Sequence, residues 1–138
     1  MRKLFRRKKS LLSNQKGIGG RGEDAAVAYL QNQKYKIITL NWFNPGGKRL
    51  GEIDIVAREG AEIVFVEVKT RSVAVGVGVV PEEQITRAKV QKLDRVAQKY
   101  IAQHGLWNVS WRIDAISVVY AQGDDRDPEI KHLKSIFY

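Results

Sequence analysis

Apolar residues along this chain recur at two different spacings, and the switches between them divide it into seven elements. In EDAAVAYLQNQKY, Glu23, Ala26, Val27 and Leu30 fall at i, i+3, i+4 and i+7, which predicts a helix whose apolar stripe includes an acid. Gly17, Gly19, Gly20 and Gly22 predict a flexible turn before it. Tyr35 to Leu40 predicts a strand, followed by a turn at NPGGK. RLGEIDIVA and EIVFVEVKT, joined across REGA, predict an antiparallel hairpin. The Gly/Val run 73–80 stays open between a loop and an edge strand. A helix is predicted to begin between Pro81 and Thr86, to bury Ile85, Ala88, Leu93, Val96, Ala97, Tyr100 and Ile101, and to stop near Gly105. VSWRIDAISVVYA reads as a strand, GDDRDP as a turn and EIKHLKSIFY as a last short strand. Helix, three strands, helix and two strands predict an α/β mixed sheet with helices on its faces.

The hairpin alternation can be carried further. On its second strand Val64, Val66 and Val68 face one way, and Ile63, Phe65, Glu67 and Lys69 the other. On the first, Ile53, Ile55 and Ala57 share a face opposite Glu52, Asp54 and Val56. Matching the two apolar faces with Arg58 opposite Ile63 sets Asp54 opposite Glu67, with Glu52 and Lys69 further along the same side. A turn shorter by two residues would instead set Glu52 opposite Glu67. The first register gathers three carboxylates and an ammonium into one patch.

Composition narrows what this patch can do. The chain of 138 residues has no cysteine, which excludes disulfides, zinc–thiolate sites and thiol nucleophiles. His104 and His132 lack metal-ligand spacing and are expected at the surface. The residues at the beginning carry no apolar signal region, and the run 73–80 is far below the ~20 residues of a membrane helix. A cytoplasmic protein without a membrane segment is expected. Of the net charge of +9, seven positive charges lie in residues 1–16, where no acid occurs. That leaves 17 bases against 15 acids on residues 17–138. A flexible basic tail on a nearly neutral single domain suits phosphate binding without sequence readout. Solubilisation, or anchoring to an anionic membrane through Leu4, Phe5, Leu11 and Leu12, would use the same tail.

Converging acids repel unless a cation joins them. Oxygen ligands without histidine or cysteine suit Mg²⁺, or Mn²⁺ in its place. Lys69, beside Glu67, could then orient or deprotonate an attacking water, or stabilise charge at a phosphorus. Phosphodiester hydrolysis is the reaction these parts serve. A lone E-x-K carries little information, since Glu129-Ile130-Lys131 repeats it with no acid partner. A surface ion pair is the plain alternative for Glu67 and Lys69, but Ile63 and Phe65 on their face argue against full solvation. For Glu23, the preference of acids for a helix's first turn is an equal alternative.

GGRGEDAAVAYL, GEIDIVA, FVEVKTR and RIDAISVV together resemble the YraN-like family of small bacterial proteins, related to archaeal Holliday junction resolvases. The resemblance covers roughly residues 17 to 138. It implies a restriction-endonuclease-like mixed β-sheet flanked by helices, with a PD-(D/E)xK site. Carried over, Asp54, Glu67 and Glu23 hold metal and Lys69 serves the attacking water. Ile53 replaces the motif's proline, which contributes no ligand. Gln84 and Lys89 correspond to positions near the site in related nucleases, and Asp114 falls in a shared motif, where an ion pair with Arg112 is at least as good a role. Arg71 and Lys89 on the body, with Arg6, Arg7, Lys8 and Lys9 on the tail, are the candidate DNA contacts. The leading expectation is a Mg²⁺- or Mn²⁺-dependent endodeoxyribonuclease, in its narrowest form a homodimer acting on branched DNA. The alternatives are a nucleic-acid-binding module with a weak or dead site, and an adaptor that recruits a partner through a sheet edge.

Overall fold

The computed structural model describes residues 17–78, 81, 85–123 and 127–136. The basic tail, including Arg6, Arg7, Lys8 and Lys9, and Gln84 lie outside the described residues. Helix α1 spans Ile18–Asn32 and helix α2 spans Arg87–Gln103. The strands are β1 Lys36–Phe43, β2 Glu52–Glu59, β3 Glu62–Val73, β4 Trp111–Ala121 and β5 Glu129–Leu133. They form one five-stranded sheet in sequential order, antiparallel throughout except for the parallel pair β3–β4. A parallel neighbour requires a crossover, and α2 supplies it. Among the described residues, no helix is long and apolar enough to cross a membrane.

Each sheet face has its own apolar core. Val64, Val66, Val68, Ile55, Ala57, Ile116 and Val118 pack against Ala26, Val27 and Leu30 of α1. Ile63, Phe65, Val56 and Ile113 pack against Leu93, Val96, Ala97, Tyr100 and Ile101 of α2. This architecture is α/β and consistent with a restriction-endonuclease-like fold.

The hairpin closes with Arg58 opposite Ile63. Gly60, at φ +59°, takes the first central position of the two-residue turn, where a side chain would be strained. The paired register runs to Ile55 opposite Val66 and ends there. Beyond that point the expected alternation of β2 fails: Ile53 joins the α2-side core instead of sharing a face with Ile55 and Ala57. There β2 stays paired with β1 alone, and Trp42, opposite Ile53, lies on the α2 side with it. Other expectations change at element ends. The glycines form the opening turns of α1 rather than a loop before it. On α2, Thr86 caps the helix by accepting from Lys89 N–H at 3.2 Å, and Val90 is buried whereas Ala88 is exposed. In the Gly/Val run, strand structure ends at Val73, and residues 74–78 form a turn and loop.

The His132 side chain is buried, not at the surface as expected. Its Nε2 lies 2.7 Å from Asp114 Oδ2, and its Nδ1 lies 3.2 Å from the Tyr29 hydroxyl of α1. Arg112 completes this network, donating to Asp114 at 2.9 Å, Glu62 at 2.6 Å and the Tyr35 hydroxyl at 2.8 Å. Burial pushes the Asp114 carboxyl up, but bonds from His132, Arg112 and the Ser135 N–H reverse this and hold it below its ordinary value. Asp114 is therefore a structural anchor joining β4, β5 and α1.

Gly22 shows how closely α1 sits on β3. A Cβ at this position would come within 1.8 Å of Thr70 Oγ1 and 2.7 Å of Thr70 Cβ. Gly22→Ala must therefore push the helix off the strand, and urea unfolding should show a loss of about 1–3 kcal/mol. Adding Thr70→Ala should restore part of that loss; a Gly22→Ala variant as stable as wild type would contradict the contact.

Candidate functional site

The end of pairing between β2 and β3 creates the site. Where the ladder would continue, Asp54 Oδ2 accepts the Val68 N–H at 2.8 Å, so a carboxylate replaces a backbone carbonyl between the strands. The bond satisfies an amide that the parting strands would otherwise orphan. It also fixes the Asp54 carboxylate in the gap, where both faces of the sheet can reach it.

Glu67 and Lys69 project from β3 on the α2 side, following Ile63 and Phe65. Their nearest partners across the parallel pairing are Ala115 and Ser117, small residues that leave room beside the charges. Lys69 Nζ lies 3.1 Å from Glu67 Oε1. Burial alone would push the Lys69 ammonium down, but the carboxylates of Glu67 and Asp54 hold it above its ordinary value. Lys89, in the first turn of α2, is pulled down by the neighbouring Lys69 ammonium and by burial. Arg71 adds to the positive potential at Lys89. A cationic border thus adjoins the acids.

Glu23 comes from α1 on the opposite face. Its charge is felt at Asp54, and one side chain links it to β2. With its amide nitrogen turned toward acceptors, Asn41 of β1 donates to Glu52 Oε1 at 3.0 Å and Glu23 Oε2 at 3.3 Å. Glu52 is also paired with Arg49 at 2.7 Å. Of the expected patch, Asp54, Glu67 and Lys69 meet, whereas Glu52 bonds Arg49 and, through Asn41, shares a donor with Glu23. Asn41 was not singled out by the sequence, where it falls just past the predicted strand of Tyr35 to Leu40. Its signal is the backbone, at φ +52°.

The electrostatics of this group favour a proton or a cation. Burial raises the Asp54 carboxyl first, and the charges of Glu67 and Glu23 raise it further against the Val68 hydrogen bond, bringing it to about 7. Among the described residues, no three acids or histidines stand as a ready-made ligand cage. The donor set instead suits a hard cation held through one or two carboxylates with water completing its shell, and Asp54 and Glu67 are the two that could hold one. Glu23 stands behind them. The second E-x-K is a plain surface pair: Lys131 Nζ lies 3.6 Å from Glu129 Oε1 and both side chains are exposed. His104 stacks on Tyr100 at the far end of α2.

The raised Asp54 carboxyl makes stability pH-dependent. Between about 3.8 and about 7 the folded protein binds a proton there that the unfolded chain releases, so stability falls as pH rises through that window. The slope is at most about 1.4 kcal/mol per pH unit. Asp54→Asn can still accept the Val68 N–H but does not titrate. In metal-free buffer it should melt above wild type at pH 8, and the advantage should shrink toward pH 4; an equal or lower melting temperature at pH 8 would contradict the assignment.

Residues 22–118 match the uncharacterised protein family UPF0102. A UPF0102 protein of Geobacter sulfurreducens is 40% identical over 120 residues, covering 87% of this chain and 88% of its own. One from Chloroflexus aurantiacus is 45% identical over 107 residues, covering 77% and 82%. One from Caldicellulosiruptor saccharolyticus is 37% identical over 125 residues, covering 90% and 99%. The match takes in Glu23, Asp54, Glu67 and Lys69 together with the strands and helices that carry them, and the chain belongs to the UPF0102 (YraN-like) family.

Proposed function

We propose that this protein is a Mg²⁺- or Mn²⁺-dependent nuclease that hydrolyses phosphodiester bonds of DNA. The observation that carries this reading is the meeting of Asp54, Glu67 and Lys69 where β2 parts from β3, with acids on one side and Lys89 and Arg71 on the other. Asp54 and Glu67 would hold the ion, with Glu23 adding negative charge behind them. Bound there, the ion would supply a Lewis acid for the phosphoryl oxygen and a lowered pKa for the attacking water. Lys69 would orient that water or offset charge developing at phosphorus. Lys89 and Arg71 would bind flanking phosphates, and the tail would add contacts without sequence readout. The motif resemblance to archaeal Holliday junction resolvases favours branched DNA and a homodimer as the narrower form.

A second reading is a binding module of the same fold. It is favoured by the Lys69–Glu67 ion pair and the raised Asp54 carboxyl, which let the acids persist without an ion.

Cleavage of a panel of duplex, single-stranded, flapped and four-way DNA separates the two readings. Glu67→Ala should lose metal affinity and cleavage. Lys69→Ala should keep DNA binding and most metal binding while turnover falls about 10²–10⁴-fold. Lys131→Ala should change nothing. No cutting by wild type with either ion, or undiminished cutting by Lys69→Ala, would replace the nuclease with the binding module. Deleting residues 1–16 should lower the slope of log affinity against log salt by about 6 if all seven charges meet phosphates, and proportionately less for fewer. An unchanged slope would remove the tail from the interface.

A further inference from the structure

We propose that Asn41 is a positioning residue of the acidic site, whose carboxamide ties Glu23 of α1 to Glu52 of β2 and so holds Glu23 beside Asp54. Its consequence for metal rests on the nuclease reading above; the bridge itself does not.

Two features of Asn41 separate cleanly. The first is its backbone. A φ of +52° inside a strand is rare for a residue with a side chain, and asparagine is among the few that tolerate it. This left-handed residue re-phases β1. Leu40 is exposed and pairs with Ile55 of the α1-side core, whereas Trp42 pairs with Ile53 and both lie in the α2-side core. Trp42 there meets Tyr100 edge-on at 5.1 Å. Glycine would meet this backbone requirement as well as asparagine does.

The second feature is the side chain, which glycine lacks. One amide nitrogen donates to Glu52 Oε1 at 3.0 Å and to Glu23 Oε2 at 3.3 Å. Glu52 is already fixed by Arg49 at 2.7 Å, and the Arg49 guanidinium lies over the Phe43 ring at 4.1 Å. Glu52 is thus an anchored post from which Asn41 spans to Glu23. A lysine or arginine could make the same span, but its charge would neutralise the acids that a cation needs. A neutral amide holds two carboxylates in place and leaves their charge available.

Two measurements test this. In metal-free protein, the ¹⁵N–¹H resonances of the Asn41 side-chain amide should move on Glu23→Gln and again on Glu52→Gln. If neither substitution moves them, the bridge does not exist. In Mn²⁺ calorimetry, Asn41→Gly and Glu23→Gln should each weaken binding about 10-fold, and the double variant should bind no more weakly than either alone. Asn41→Gly should also melt close to wild type, because glycine accepts the backbone. Additive losses, or full Mn²⁺ affinity in Asn41→Gly while Glu23→Gln is impaired, would overturn positioning through Glu23. Absence of Mn²⁺ binding by wild type would sink the metal reading instead, and the amide resonances would still decide the bridge.

Discussion

The site depends on one substitution of hydrogen-bond acceptors: Asp54 Oδ2 takes the Val68 N–H where the β2–β3 ladder stops. A strand that leaves its neighbour exposes amides, and a buried unpaired amide costs about 1–3 kcal/mol. Meeting that amide with a carboxylate stabilises the opening and seats a charge within it. Burial and the charges of Glu67 and Glu23 then raise the Asp54 carboxyl to about 7 against that bond, so the seat in which the bond fixes the carboxylate creates demand for a proton or cation. Local stability and candidate chemistry are joined in one side chain.

The surrounding elements follow from this opening. Glu67 and Lys69 approach from the α2 face by strand alternation, and Glu23 approaches from the α1 face because Gly22 lets the helix sit on Thr70. Asn41 re-phases β1 beside the gap and spans two of the acids. At a distance, Asp114, Arg112 and His132 hold β4, β5 and α1 together with buried, fully directed bonds. That network uses acids and bases for rigidity, and it lies on the α1 side of the sheet, with Tyr29 and Tyr35.

Periodicity makes the hairpin register legible, because slipping β2 against β3 by one residue would turn two apolar faces to solvent. It therefore gives Asp54, Glu67 and Lys69 their common location from sequence. Periodicity does not reveal where pairing ends, so Ile53 appears on the wrong face. Glycine content hides the start of α1: helix propensity argues against GIGGRG, whereas close packing on Thr70 demands a glycine at position 22. His132 and Asn41 are hidden for a related reason, since each acts through a partner far away in the chain. The EIK run around Ile130 has the same local motif as the site and none of its neighbours, so the motif gains its meaning only from the opposing strand.

The central claim is that the gap between β2 and β3 attracts a divalent cation. Crystals soaked in Mn²⁺ at pH 8 and measured at the manganese absorption edge test it most directly. The account predicts an anomalous peak between the Asp54 and Glu67 carboxylates, with the Lys69 ammonium drawn away from Glu67. A gap without a peak at saturating Mn²⁺, with Lys69 still paired to Glu67, would contradict it.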